Sequence, residues 1–138
     1  MLRLINPPGP SIPGISQAVL VESGRPLFLS GHVPFDERGS VSSPEIGPQL
    51  EQVFQNLDAT LKAAGVGFDS VARLTFYVCD LSPAVLPIIR EVRDRWINAD
   101  RPPASVLIGV ASLFRPDVLV EVDAFAVVPS DERVEGDR

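Results

Sequence analysis

Residues 118 to 128, "VLVEVDAFAVV", alternate along the chain in a way that sharply limits what can be built around them. Successive side chains of an extended segment point to opposite faces. Val118, Val120, Val122 and Ala124 therefore share one face, and Leu119, Glu121, Asp123 and Phe125 share the other. The first face is wholly apolar and has to be buried. The second sets Glu121 between two large apolar neighbours. Facing water, Leu119 and Phe125 would be wasted; facing an interior, Glu121 would need a partner. A chain carrying this strand needs a core on one side of its sheet and something other than bulk water on the other.

The covering layer is legible upstream. In "EIGPQLEQVFQNLDATLKAAG", residues 45 to 65, Ile46, Leu50, Val53, Phe54, Leu57, Leu61 and Ala64 follow the spacing of one helical face, and Gly65 stands where such a helix stops. A second helix is expected in "SPAVLPIIREVRDRWINAD", residues 82 to 100, with Ser82 as N-cap and Pro83 at its first position. Its stripe runs through Leu86, Ile89, Val92 or Arg93, and Trp96, and Pro87 is expected to distort its first turn. Residues 15 to 34, "ISQAVLVESGRPLFLSGHVP", read as two strands joined at "SGR" in a hairpin. The polar stretch 35 to 45 reads as a loop with room for a short strand. Further strands are expected at "DSVARLTFYVCD", "SVLIGVA" and the final alternating run.

This order predicts an α+β domain with one sheet of about six strands and both helices on a single face. The helix-bearing face is expected to hold Ala72, Leu74, Phe76 and Val78, then Val106, Ile108 and Val110, then Val118, Val120, Val122 and Ala124. The opposite face then mixes Arg73, Thr75 and Tyr77 with Ser105, Leu107 and Gly109 and with the Glu121 set. A face neither cleanly polar nor cleanly apolar is the signature of a subunit junction. One domain is expected over residues 1–129, with a loose charged tail at 130–138.

Residue usage removes several function classes. The single cysteine, Cys79, excludes an internal disulfide and reads as a small, partly buried hydrophobe. With His32 the only histidine, no zinc or iron–sulfur ligand set is expected and few triad schemes remain. A net charge of −6 repels phosphate backbones, so no nucleic-acid partner is expected. "AAGVGF" lacks the strand–loop–helix order and the lysine of a phosphate-binding loop, and no cofactor is expected. The opening "MLRLINPPGP" has prolines where a signal peptide needs an unbroken apolar segment, and no apolar run is long enough to cross a bilayer. A cytoplasmic protein without a membrane partner is expected.

"GISQAV", "LFLSGHVP", "QVFQNLDATLKAAG", "LTFYVCDL", "PPASVLIGVASL" and "VEVDAFAV" resemble, in order and spacing, the Rid/YjgF family of reactive-intermediate (enamine/imine) deaminases, some of which carry the older name endoribonuclease L-PSP. The resemblance extends from about Ile5 to Val128. It implies a chorismate-mutase-like protomer and a homotrimer whose sheets line a central barrel, with three ligand pockets between subunits. In deaminating members an arginine after Pro-Ala clamps the substrate carboxylate; Ser105 stands at that position here. The family tyrosine is matched by Ile15, its cysteine by Leu107, an asparagine of the second helix by Ile88, and the glutamine of its "SGQ" stretch by His32. Ser30, Gly31 and Glu121 are retained. The resemblance thus implies a pocket that keeps its scaffold and loses its cationic clamp.

For Glu121 the functional reading is a water-orienting group or base; the alternative is an ion pair with Arg73 on the same side of the sheet or with an arginine of a neighbouring subunit. His32 is either a second proton carrier or a hydrogen-bonded structural residue. Ser105 has no adjacent base in sequence to activate it, which favours a pocket-lining hydroxyl over a nucleophile. Ile15, Ser30, Gly31, Ile88, Ser105 and Leu107 are the expected substrate-binding set. Arg73, Arg101 and Arg115 are candidates to replace the missing clamp. Two functions stay open: a hydrolase or deaminase acting on an imine- or enamine-like metabolite other than the usual 2-imino acids, and a non-catalytic trimeric binding module. Ribonuclease action would rest on the old family name alone.

Overall fold

The computed structural model describes residues 1–130; the tail expectation from 131 onward lies outside the described residues. Six strands and two α-helices follow the order β1 (Leu2–Ile5), β2 (Ala18–Val21), β3 (Arg25–His32), α1 (Ile46–Ala63), β4 (Val71–Cys79), α2 (Leu86–Asp94), β5 (Ala104–Val110) and β6 (Val120–Val128), with a 3₁₀ turn at Phe68–Ser70 before β4. The α+β class holds, but the six strands divide between two sheets. The main one has the order β3-β6-β4-β5, and β1 and β2 form a separate ribbon.

That division corrects the expected hairpin. β2 pairs with β1, Leu2 opposite Val21 and Ile5 opposite Ala18, whereas β3 pairs antiparallel with β6. Leu2 and Leu4 turn their apolar side chains toward Val19 and Val71, which gives the first residues of the chain a place in a strand. Gly24 takes φ +116° between the two sheets, and a Cβ there would run into Val127. The chain bends at Ser23 and Gly24, but β2 and β3 on either side of the bend pair with other strands, so no hairpin forms.

α1 buries Ile46, Leu50, Val53, Phe54, Leu57 and Leu61 against Leu74, Phe76, Val78, Val120, Val122 and Ala126. Each large apolar side chain taken wholly out of water contributes roughly 1.5–3 kcal/mol. Gly65, at φ +80°, ends the helix with its N–H donated to the Lys62 carbonyl. The alternation in the sequence did not mark Gln49, which is buried among these residues. Its Nε2 donates to the carbonyls of Ser43 and Asp117, both at 2.9 Å, and its Oε1 accepts from the Leu119 N–H at 2.8 Å. The side chain satisfies all three partners and ties α1 to the start of β6.

α2 begins later than expected. Ser82 and Val85 close a turn, and the helix starts at Leu86 with Pro87 in its first turn. A proline there removes an N–H that had no helical acceptor anyway, so no distortion follows. Trp96, just beyond the helix, stacks on Phe54 at 6.0 Å between centroids and donates Nε1–H to Glu51.

β5 is a second correction. It runs parallel to β4 with Leu74 opposite Ser105, Phe76 opposite Leu107 and Val78 opposite Gly109. Neighbours in register share a face. Ser105 and Leu107 therefore lie on the helix side, and Val106 and Ile108 on the open side, the reverse of the expected phase. Val106, Leu107 and Ile108 are all partly exposed at this sheet edge.

Candidate functional site

Two groups of candidate residues form, at opposite edges of the main sheet. The first centres on Glu121. β3 carries a bulge between Leu29 and His32, which sets Gly31 directly beside the Glu121 side chain. A Cβ on residue 31 would overlap the Glu121 carboxylate and lie 2.8 Å from its Cδ, so a larger residue there would displace that side chain. Glu121 is half-buried on the open face, opposite Tyr77. The alternative ion pair with Arg73 is not formed, and among the described residues its carboxylate has no hydrogen-bond or ion-pair partner. Tyr77 instead donates its hydroxyl to Asp123 at 3.0 Å. That bond, reinforced by desolvation, raises the tyrosine's pKa.

His32 lies on the other side of the sheet from Glu121. It pairs with Val122 and turns toward α1. Its Nδ1 is 2.6 Å from the Ser30 carbonyl and its Nε2 is 2.7 Å from Thr60 Oγ1. A carbonyl can only accept, so Nδ1 carries a proton, and Nε2 shares a hydrogen bond with the threonine hydroxyl. Both ring nitrogens are engaged, and the ring braces β3 on α1 across the bulge.

The second group is a cavity of about 310 Å³ between β5, α2 and the segment before β2. Ile15, Ser105 and Leu107 meet here, with Ile12 and Leu86 beside them. The segment is held by Ser16, whose hydroxyl donates to the Pro102 carbonyl at 2.6 Å and whose N–H donates to the Pro103 carbonyl at 3.0 Å. Ile88 lies elsewhere, against Gly47 of α1.

Two arginines also line this cavity, Arg90 and Arg93, and sequence reasoning passed over both. Arg93 counted only as a stripe position, yet it is 7% exposed and polar in its contacts. It donates Nε–H to Asp94 at 2.9 Å and Nη2–H to the Pro13 carbonyl at 3.2 Å, and Gly14, at φ +81°, packs on its guanidinium. The three arginines considered as candidates for the clamp lie elsewhere in the chain. Arg101 donates to the Leu2 carbonyl, Arg115 pairs with Asp117 over the Phe35 ring, and Arg73 lines a hollow on the open face with Phe28 and Tyr77. An (i, i+3) pair of arginines was the available signal, but a helical stripe with Val92 beside Arg93 left its direction open.

A family model described as Endoribonuclease L-PSP matches residues 10–128. The chain belongs to the Rid/YjgF family. Among its relatives, protein DfrA of Myxococcus xanthus is 37% identical over 113 residues, covering 81% of this chain and 83% of that protein. A RutC family protein of Pyrococcus horikoshii is 34% identical over 122 residues, 88% and 91% of the two chains. Of solved structures, the Rid-family protein YyfB of Yersinia pestis is similar with a TM-score of 0.85 and 36% identity, covering 92% of this chain and 98% of that one. RidA of an Antarctic Psychrobacter is similar at a TM-score of 0.70 and 27% identity, covering 86% and 92%. The α+β fold with two helices on a mixed sheet is the fold of this Rid/YjgF family. Among the described residues no helix is long and apolar enough to cross a membrane, and no cluster of metal-ligating side chains forms.

Proposed function

We propose that the chain is one subunit of a homotrimer with small-molecule sites between neighbours, and that each site hydrolyses an imine- or enamine-like metabolite other than the usual 2-imino acids. Family membership supports a role in imine deamination or small-molecule binding. One observation carries the finer reading: a single chain keeps the candidate residues apart. Gly31 and Glu121 belong to β3 and β6, on the open face; Ser105 and Leu107 belong to β5, at the far edge and on the helix face. A complete site then requires a second copy. The open face suits that role, since Phe28 is 75% exposed and stacks edge-on against Phe125 at 5.0 Å, with Val106 and Ile108 exposed beyond.

In the proposed reaction water adds to the carbon of the C=N bond while the Glu121 carboxylate takes one of its protons and returns it to nitrogen. The resulting carbinolamine breaks its C–N bond, releasing ammonia and leaving a carbonyl compound. Gly31 keeps the carboxylate reachable by leaving no side chain over it. His32 acts as a brace rather than a proton carrier. Ser105 lines the pocket as a hydroxyl; it cannot hold a carboxylate bidentately as a guanidinium does.

Ammonia release from an imine generated in situ tests this. An aliphatic imine without a carboxylate on the reacting carbon is turned over, Glu121→Gln lowers the rate by about 100-fold or more, and 2-imino acids are processed weakly. A Glu121→Gln protein working at the wild-type rate overturns the assignment. The aliphatic wall of Ile12, Ile15 and Leu107 favours one second reading, a non-catalytic binding module. Ligand binding that survives Glu121→Ala, with no turnover of any imine, selects it.

A further inference from the structure

The charges in the Ser105 cavity do not balance. Arg93 is paired with Asp94 at 2.9 Å, which cancels its charge, and its Nη2 is spent on Pro13. Arg90 lies on the exposed side of α2 and has no ion-pair or hydrogen-bond partner among the described residues, although it borders the cavity. Around it the wall is aliphatic, from Ile12, Ile15, Leu86 and Leu107, with the Ser105 hydroxyl as a further polar group. The neighbouring acids are already engaged: Glu91 with Arg95, and Asp94 with Arg93. Among the described residues the cavity therefore carries one uncompensated positive charge at one end and a lipophilic wall over the rest, in a chain whose net charge is −6.

We propose that Arg90 is the anion-recognising residue of this cavity and that the ligand is a small amphipathic monoanion, a carboxylate on an apolar body, held by its charge at α2 rather than at β5. One free guanidinium matches one carboxylate in charge and in its fork of donors. Arg93 is a positioning residue. By donating to Pro13 and receiving Gly14 on its flat face, it holds Ile12 and Ile15 over the apolar body. The helix wall is a different place from the strand position occupied by Ser105, so the anion would sit away from where the carboxylate of a 2-imino acid is clamped in deaminating relatives. The inference rests on reading this cavity as a ligand pocket and does not depend on Glu121 chemistry.

The test compares two probes of one shape, 4-methylpentanoate and its neutral amide, titrated calorimetrically into the full-length protein. The acid binds about tenfold or more tightly than the amide. Arg90→Gln removes that preference by weakening the acid alone, and Arg90→Lys restores part of it. Thermal melts of both variants check that this surface change leaves the fold intact. Equal affinity of the two probes, a preference that persists in Arg90→Gln, or no saturable binding of either probe overturns the proposal. Ammonia release is read separately. Lost turnover with an intact acid preference sinks the hydrolase reading and spares this one; turnover of an aliphatic imine without any acid preference does the reverse.

Discussion

The main sheet meets two unlike environments. Toward the helices, Leu74, Val78, Val120, Val122 and Ala126 are sealed under Leu50, Phe54 and Leu57, and the one buried amide, Gln49, has each of its partners. On the open side, Phe28, Val106 and Ile108 lie among Arg73, Tyr77, Asp123 and Glu121, with apolar and ionisable groups interleaved. The same strands build both. One face is optimised for folding within the chain, whereas the other holds side chains without partners among the described residues. A half-buried carboxylate without such a partner, beside an exposed phenylalanine, fits the proposed subunit junction better than it fits an ordinary surface.

If the faces are as different as this, truncations on each must differ sharply. Phe54→Ala, under the helices, removes a ring in contact with Phe68, Phe76 and Trp96 and lowers unfolding stability by about 3–5 kcal/mol in urea titrations. Phe28→Glu, on the open face, changes the stability of the isolated fold by only about 0.5 kcal/mol but breaks the proposed trimer into monomers by light scattering. A Phe28→Glu protein that stays trimeric, or that unfolds as readily as Phe54→Ala, breaks the distinction. The smallest effect concerns Tyr77, the sole tyrosine. Its hydrogen bond to Asp123 raises its pKa, so the folded state holds the phenolic proton more firmly than the unfolded chain does. The stability linked to this bond is present below the unfolded pKa of about 10 and is lost as pH rises through the higher folded value. Ultraviolet titration of the folded protein should show tyrosinate forming above the ordinary range, and Tyr77→Phe should flatten the alkaline loss of stability. A tyrosinate midpoint at the ordinary value would mean that the open-face pair is not closed in solution.

Much of this was legible beforehand. The stripe of α1, its stop at Gly65, the faces of β4 and β6, and the family resemblance all follow from near-neighbour patterns and motifs. Glu121 stood out because its own strand contradicts itself on that face. Other residues were opaque for stated reasons. "SVLIGVA" is apolar on both faces, so alternation cannot set its phase; pairing with β4 does. Gln49 carried no signal, because a polar side chain within a helical stripe gives no sign of three waiting backbone partners. Ile88 fell within an expected pocket by motif position and lies against Gly47 instead.

By itself the amino-acid order determined the two helices, the strands β2 to β6 though not β1, and that one sheet face would be core, because these depend on periodicity and on residues a few positions apart. Tertiary structure alone decided that β2 pairs with β1, that β5 turns Ser105 inward, that His32 braces α1, and that Arg90 and Arg93 border the cavity Ser105 lines. Each of those is a contact between residues far apart in the chain. Its free energy depends on what else the fold has already brought near, and no local pattern encodes that.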